Sequence, residues 1–206
     1  MMVAVSANSA NVAPPSGDSA RKRELLDAAY AWVLENGWAG LSLRPLAEAI
    51  GSSAGVLLFL FGSKDGLIQA LLARSRAEQV AVLDGLGQGE PADLAAVTAR
   101  VWAWLSAPEH RSLLRLWLEA YSRSVGTMDE IAGPWRGFAA QTVADWDNLL
   151  AAHQPVRRRS TAKGIAERSL VLAVLRGALL DLLATGDTTR LGRSVALHVD
   201  ALRSAR

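Results

Sequence analysis

The side chains that could do covalent or metal chemistry are few and far apart. The sequence has no cysteine, so it offers no thiolate nucleophile and no disulfide framework. Its three histidines, His110, His153 and His198, fall on different predicted helices, and none has a second ligand at i, i+4 spacing. Ser160 and Lys163 have the spacing of one nucleophile motif, but its companion motifs are absent. The sequence therefore predicts no enzyme active site, no metal site and no cofactor.

Residues 42–72 instead carry a pattern suited to binding a second macromolecule. Ser42 is placed to cap a first short helix, with Pro45 in its first turn, where a missing N–H is tolerated. Gly51 supplies a turn, and Ser53 is placed to cap a second short helix. Two short helices joined by a glycine-led turn predict a helix-turn-helix, which lays its second helix in the major groove of DNA.

The first residues of that second helix are predicted to face base edges. They are Ser52, Ser53, Ala54, Gly55 and Val56. Serine can donate or accept and Val56 can contact a thymine methyl, but none offers the bidentate fork of arginine or asparagine. Helical spacing turns Leu57 and Phe61 inward and leaves Leu58 and Phe59 outward.

Three interpretations of the outward Leu58 and Phe59 remain open. Leu58 could pack against the predicted helix that carries Leu25 and Ala29, or against sugar edges. Leu58 and Phe59 could read DNA by shape and methyl contacts in place of hydrogen bonds. They could instead form an apolar surface for another protein.

Positive side chains flank the predicted reader and could neutralise phosphates. They are Arg44, Lys64 and the run Arg21, Lys22 and Arg23. Lys64 opens a helix, so helix N–H groups can join it on one phosphate. The basic run is either the solvated start of a helix or an arm that touches phosphates or the minor groove.

A family resemblance rests on four segments of this region. They are Arg23-Glu24-Leu25-Leu26-Asp27-Ala28-Ala29, Glu35-Asn36-Gly37, Leu41-Ser42-Leu43-Arg44 and Phe61-Gly62-Ser63-Lys64-Asp65-Gly66-Leu67. Over roughly residues 21–72 the chain resembles the DNA-binding domain of TetR-family transcriptional regulators. It departs from that pattern at Leu58, Phe59 and Leu60, where many members carry Tyr followed by His or Tyr. The resemblance implies a homodimer formed through the last two helices and an effector pocket in the C-terminal domain.

The whole chain is predicted to be all-α, because alanine, leucine and arginine abound and alternating β-branched runs are missing. Residues 1–18 are predicted to form a flexible tail, 19–72 the three-helix DNA-binding domain, and 73–206 a helical effector-binding and dimerisation domain. The net charge of +2 is too small to indicate a nucleic-acid partner by itself. The longest apolar run, residues 56–61, is too short to span a bilayer, and no secretory signal is present. We therefore expect a cytoplasmic protein without a membrane partner.

Aromatic side chains are concentrated in the second half of the chain. The candidate ligand-binding set is Trp102, Trp117, Tyr121, Trp135, Phe138 and Trp146. Such residues on helices either fill a core or line an apolar cavity, and both alternatives remain open. Arg115, Glu119 and Asp145 are the nearby polar groups that could orient a ligand.

The last two predicted helices carry more apolar surface than one core face needs. The candidate dimer-interface residues are Leu170, Val174, Leu175, Leu179, Leu191, Val195, His198 and Leu202. The last four recur at i, i+4, i+7 and i+11, which favours a four-helix interface between two subunits. The alternative is a monomer that packs both faces internally.

Together these patterns predict a homodimeric transcriptional regulator that binds a palindromic operator in double-stranded DNA. The resemblance favours a repressor that is released by a small apolar effector. The alternative is a ligand-binding or protein-interaction module of the same fold with little operator affinity.

Overall fold

The computed structural model describes residues 17–88, 93–126 and 133–204. Within these ranges it contains helices and no strand, so the all-α prediction is confirmed. The helices are α1 (Gly17–Asn36), α2 (Leu43–Ala49), α3 (Ala54–Phe61), α4 (Lys64–Gly87), α5 (Leu94–Ser106), α6 (Arg111–Arg123), α7 (Phe138–Ala152), α8 (Val156–Arg159), α9 (Ala162–Thr185) and α10 (Thr188–Ser204). Of the predicted tail, residues 1–16 lie outside the described ranges, and Gly17 and Asp18 already belong to α1.

Helices α2 and α3 form the predicted helix-turn-helix. Their axes are bent by 104° across the intervening turn, where Gly51 has a φ of +63°. The angle lies within the range of helix-turn-helix units, and the positive φ is one that glycine adopts without strain. This bent pair passes a test of length and apolarity for a membrane span only when its two helices are taken together. In residues 17–88, 93–126 and 133–204 no single helix passes that test.

The caps of α2 and α3 differ in a way that the sequence explains. Ser53 caps α3 as predicted, because its hydroxyl accepts from the N–H of Val56 at 3.2 Å. Ser42 occupies the N-cap position of α2 as predicted, but its hydroxyl makes no capping bond, so that part of the prediction is wrong. The third helical residue normally donates to such a hydroxyl, and in α2 it is Pro45, which has no N–H.

The core consists of two hydrophobic clusters that share helix α4. The first packs α1, α2, α3 and the start of α4 against one face of α6, and the second packs the end of α4 with α5, α6, α7, α9 and α10. Leu71 and Leu72 belong to the first cluster, whereas Leu83 belongs to the second. Helix α4 runs without a break through the predicted domain boundary at residues 72 and 73, which stays a prediction.

The turn after α1 is anchored to α6 by Trp38. Its indole N–H donates to the carbonyl of Leu116 at 3.0 Å, and its backbone N–H donates to Oε2 of Glu119 at 3.1 Å. The ring meets Trp135 edge to face, with centroids 5.2 Å apart. Because buried indoles need a partner for their N–H, this arrangement fixes the first cluster to α6.

A buried arginine holds the corner between α7, α8 and α9. Arg168 is 5% exposed, and its guanidinium forms two bonds with the carboxylate of Asp147, at 2.8 and 3.1 Å. The same guanidinium donates to Oε1 of Gln154 at 2.7 Å and to the carbonyl of Arg159 at 2.8 Å. Arg168 therefore joins three helices.

Candidate DNA interface and ligand cavity

Helix α3 presents an apolar face outside the protein. Phe59 is 79% exposed, and Val56 and Leu58 are each about 40% exposed. Leu57 and Phe61 are buried in the first cluster, as helical spacing predicted. The outward face can therefore make shape and methyl contacts, and Val56 is the residue on it nearest the N-terminus of the helix that could meet a thymine methyl.

The polar residues before α3 are less available than the sequence predicts. The hydroxyl oxygen of Ser52 is buried, so Ser52 is corrected from a base-facing residue to one turned inward. Ser53 is exposed, but its oxygen already accepts from the backbone of α3. Ala54 is half-buried and Gly55 is exposed. Hydrogen-bonded readout by this turn is therefore limited to the remaining capacity of Ser53.

Two positive side chains next to the reader are exposed and available. Arg44 lies in the first turn of α2 and Lys64 is the first residue of α4. Neither forms a salt bridge within the described ranges. Ser63 caps α4 by accepting from the N–H of Gly66 at 2.9 Å, so the start of α4 combines a positive side chain with a helix N-terminus.

The basic run lies within α1 and is not an extended arm. Arg21 pairs with Glu24 at 2.8 Å, and Nζ of Lys22 lies 5.1 Å from the centre of the Phe61 ring. Arg23 is exposed. The contact with Phe61 places Lys22 at the C-terminal end of α3, so the interpretation as a minor-groove arm gives way to a helical basic surface.

A cavity of about 440 Å³ lies between α4, α6, α7 and α9, and nearly all of its wall is apolar. The residues that line it are Gln79, Leu105, Leu114, Trp117, Leu118, Tyr121, Ser122, Val125, Thr142, Trp146, Leu172, Leu175, Arg176, Leu179 and Leu180. Its size falls within the range of small-molecule sites in proteins.

Half of the predicted aromatic set lies on this cavity. Trp117, Tyr121 and Trp146 line it. Trp102, Trp135 and Phe138 do not line it. Trp102 packs in the second cluster, Trp135 packs on Trp38, and Phe138 fills the first cluster. Spacing along the chain placed all six on helices but could not show which sides those helices turn towards one another.

The predicted orienting groups are also used elsewhere. Glu119 binds Trp38, and Arg115 does not line the cavity. Asp145 forms a two-bond pair with Arg76, at 2.9 and 3.0 Å, and this hydrogen bonding raises the pKa of Arg76. The ion pair of Asp145 with Arg76 therefore links α7 to α4.

Apart from the aromatic side chains, the polar groups that line the cavity were not among the residues predicted from the sequence. Gln79 is fully buried on its wall, and neither amide atom has a hydrogen-bond partner within the described part of the chain. The same holds for Nε1 of Trp117 and Oγ1 of Thr142. Arg176 stacks over the ring of Tyr121, with 5.5 Å from Cζ to the ring centre. A sequence signal existed, because Gln79 interrupts the inward stripe of α4 four residues before the buried Leu83.

Comparison with known proteins agrees with this architecture. Residues 25–71 match the family described as bacterial regulatory proteins, tetR family. The HTH-type transcriptional repressor Rv1474c of Mycobacterium tuberculosis is 28% identical over 186 residues, which are 90% of this chain and 94% of that protein. The HTH-type transcriptional repressor AcnR of Corynebacterium efficiens is 27% identical over 168 residues, which are 82% of this chain and 84% of that protein.

The chain carries a DNA-binding domain of the TetR family over residues 25–71. It is a transcriptional regulator, and the family consists of DNA-binding proteins that are not enzymes. The fold agrees with a crystal structure of a TetR-family transcriptional regulator from Cytophaga hutchinsonii, which superposes with a TM-score of 0.74 at 17% identity. That superposition covers 93% of this chain and 98% of that one.

The structure buries half of the predicted interface residues within the protomer. Four of them, Leu175, Leu179, Leu191 and Val195, are buried in the protomer's own second cluster. Their side chains pack against neighbouring helices of the same chain, α5 among them, and do not face outward.

The other four predicted interface residues are more accessible. Leu170 is exposed, and Val174, His198 and Leu202 are half-buried. Burial lowers the pKa of His198, which favours its neutral form.

One face of α9 and α10 stays exposed, and it includes Leu170 from the predicted set. On α9 it consists of apolar or small residues at alternating spacings of four and three, namely Ala166, Leu170, Ala173, Gly177, Leu180 and Ala184. Leu180 is 56% exposed, and Leu197 on α10 is 74% exposed. A Cβ added at Gly177 would meet no atom within 4 Å. This spacing is typical of a helix seam that packs against another helix.

Proposed function

We propose that this TetR-family regulator is a ligand-responsive repressor, which binds a palindromic operator as a homodimer and is released by a small apolar effector. The observation that carries the proposal is that α4 belongs both to the DNA face and to the cavity. Lys64 begins the helix at the DNA face, and Gln79 lies on the cavity wall fifteen positions later. That separation is about 22 Å along the helix axis. The two repressors similar to this chain support repression over activation.

Helix α6 offers a second connection between the cavity and the DNA-binding domain. Trp117 and Tyr121 face the cavity, while Glu119 on another face of the helix holds the backbone of Trp38. An effector that fits the cavity better in one arrangement of these helices shifts the protein towards that arrangement. A near-complete switch requires about a 10⁴-fold difference in effector affinity between the two arrangements. We expect the regulator to act in the cytoplasm, where bacterial DNA lies.

Lys64→Ala is expected to weaken binding to all DNA sequences alike. The change removes one phosphate contact from each protomer, so the salt dependence of the binding constant should fall by about one unit per protomer. Gel shifts with the DNA upstream of the protein's own gene, at several salt concentrations, measure both effects. Lys163→Ala is the matched control, because Lys163 is exposed in the first turn of α9, a helix that is not part of the DNA face. Equal effects of the two variants would contradict the assignment of Lys64.

Val56→Ala should instead change the ranking of operator variants that differ at thymine positions.

A second candidate function is supported by the apolar face of α3. Val56, Leu58 and Phe59 are exposed and carry no hydrogen-bonding side chain, so this face would also suit another protein. The same gel shifts separate the two functions. Binding that falls steeply with salt supports the regulator of operator DNA, and absence of binding even at low salt supports the interaction module.

The homodimer is proposed to form through the exposed face of α9 and α10 described above. Gly177→Glu is expected to convert the dimer into a monomer, because it places a charged side chain in the middle of the seam. The variant should fold normally, since the space around Gly177 is open in the protomer. Loss of paired readers should then weaken operator binding about 100-fold.

Light scattering after size-exclusion chromatography measures the mass of the Gly177→Glu variant. Gly85→Glu is the matched control, because Gly85 is also exposed within a helix and also has no atom within 4 Å of an added Cβ. A Gly177→Glu protein that remains dimeric would rule out this seam as the interface.

A further inference from the structure

We propose that the cavity selects neutral apolar molecules that carry a carboxamide-type group, which pairs with the amide of Gln79. This inference rests on the proposed function, because it names the class of effector that the cavity takes. It is drawn from the wall chemistry around one fully buried side chain.

The cavity wall is poor in charge. The described residues that line the cavity include no aspartate, glutamate, lysine or histidine, and Arg176 is the one charged side chain among them. Arg176 stacks over Tyr121, and its Nη2 is buried without a hydrogen-bond partner in the described part of the chain, so it offers a donor to a ligand carbonyl. A cationic ligand would therefore find no counter-charge on the wall. Transferring such a ligand from water would leave its charge uncompensated.

Among the polar side chains described on the wall, Gln79 is the most deeply buried. It is fully buried, and both Oε1 and Nε2 lack hydrogen-bond partners within residues 17–88, 93–126 and 133–204. Most buried side-chain polar atoms in proteins are hydrogen-bonded, so an amide with two unpaired atoms on a cavity wall needs an explanation. A bound molecule that pairs with both atoms supplies one.

The geometry of an amide decides which ligand group satisfies it. Gln79 presents one acceptor and one donor group side by side. A carboxylate can only accept and would leave Oε1 facing another oxygen, and an ammonium can only donate and would leave Nε2 unpaired. A primary amide or a cis lactam both donates and accepts, so it pairs with both atoms at once.

Two further groups on the wall fit the same ligand class. Nε1 of Trp117 is a donor and Oγ1 of Thr142 is both donor and acceptor, and neither has a partner in the described ranges. They offer positions for a second lone pair of the ligand carbonyl or for a second polar atom. The remaining lining side chains, which are mostly leucine and aromatic, accommodate an apolar body.

The test compares three probes that share one alkyl chain: octanamide, octanoate and octylammonium. Their dissociation constants for the purified full-length protein are measured at pH 7.5 by tryptophan fluorescence and by titration calorimetry. Octanamide is expected to bind about tenfold more tightly than either charged probe, because it alone satisfies both atoms of Gln79.

Variants at Gln79 test whether this residue is the cause. Gln79→Leu should abolish the preference for octanamide, and Gln79→Glu should shift the preference to octylammonium by supplying the missing counter-charge. Gln69→Leu is the matched control, because Gln69 lies on the exposed side of the same helix, and it should leave all three constants unchanged.

Several results would overturn the inference: no binding of any probe, tighter binding of a charged probe, or a preference that persists in Gln79→Leu. These measurements use no DNA. A failure of operator binding in the gel shifts is therefore a separate result, and the two failures can be distinguished.

Discussion

Arg168→Ala is expected to lower the free energy of unfolding by about 3 kcal/mol, because it removes a buried cation that holds three helices together. The guanidinium of Arg168 makes four hydrogen bonds, two to Asp147, one to Gln154 and one to the carbonyl of Arg159. Their loss leaves the Gln154 oxygen and the Arg159 carbonyl without this donor. Asp147 keeps partial access to water, with its side chain 34% exposed, which places the expected loss at the lower end for a broken buried pair.

Urea unfolding followed by tryptophan fluorescence measures the loss at Arg168. Arg168→Met is a useful second variant, because it retains the apolar stem while removing every hydrogen bond. Arg157→Ala, at an exposed position of α8, should change the stability by less than about 0.5 kcal/mol. Equal stability of the Arg157 and Arg168 variants would show that the corner does not depend on this network.

The example of Arg168 shows what the sequence can predict about such a chain. Periodicity correctly placed Leu57 and Phe61 inside the first cluster and Leu58 and Phe59 outside it, because the facing of a helical residue depends only on local spacing. The helix-turn-helix was predictable for the same reason, since its glycine turn and its serine before α3 are local signals. Whether an arginine on an apolar helix is solvated or buried depends on residues far away in the chain, and local spacing carries no such information.

The corrected interface has the same cause. Leu191 and Val195 do share one face of α10, as their spacing predicted, but that face packs against the same protomer. Spacing shows which residues share one face of a helix, but it does not show whether that face packs against the same protomer or against a partner. The exposed seam on α9 was hidden by the same limitation, because its alanine and glycine positions carry no strong hydrophobic signal.

The cavity was the least predictable part of the candidate site. Trp117 and Trp146 could be named from their residue type, but their approach to Gln79 on α4 depends on the tertiary packing of α4, α6 and α7. A glutamine within an inward stripe is compatible with a satisfied core amide as well as with a ligand contact. Only the positions of its neighbours distinguish the two cases.

Gln79→Leu is expected to raise the free energy of unfolding by about 2 kcal/mol. Burying an amide without partners costs free energy that a leucine of similar volume does not incur, so the substitution should stabilise the protein. The same urea unfolding curves measure the gain, and Gln69→Leu at the exposed side of α4 should change stability by less than about 0.5 kcal/mol. A large loss of stability in Gln79→Leu would show that the amide is satisfied and structural.

Ligand linkage connects this gain to function. Octanamide should raise the unfolding free energy of the wild-type protein as its concentration exceeds the dissociation constant, because it binds only the folded state. In Gln79→Leu the unliganded protein should be more stable, and octanamide should add less at the same concentration. A side chain that destabilises the free protein and whose penalty disappears on binding is explained by selection for a ligand and not by selection for the fold. The unfolding free energies of the two proteins, plotted against octanamide concentration, should therefore cross. A purely structural role for Gln79 does not produce such a crossing.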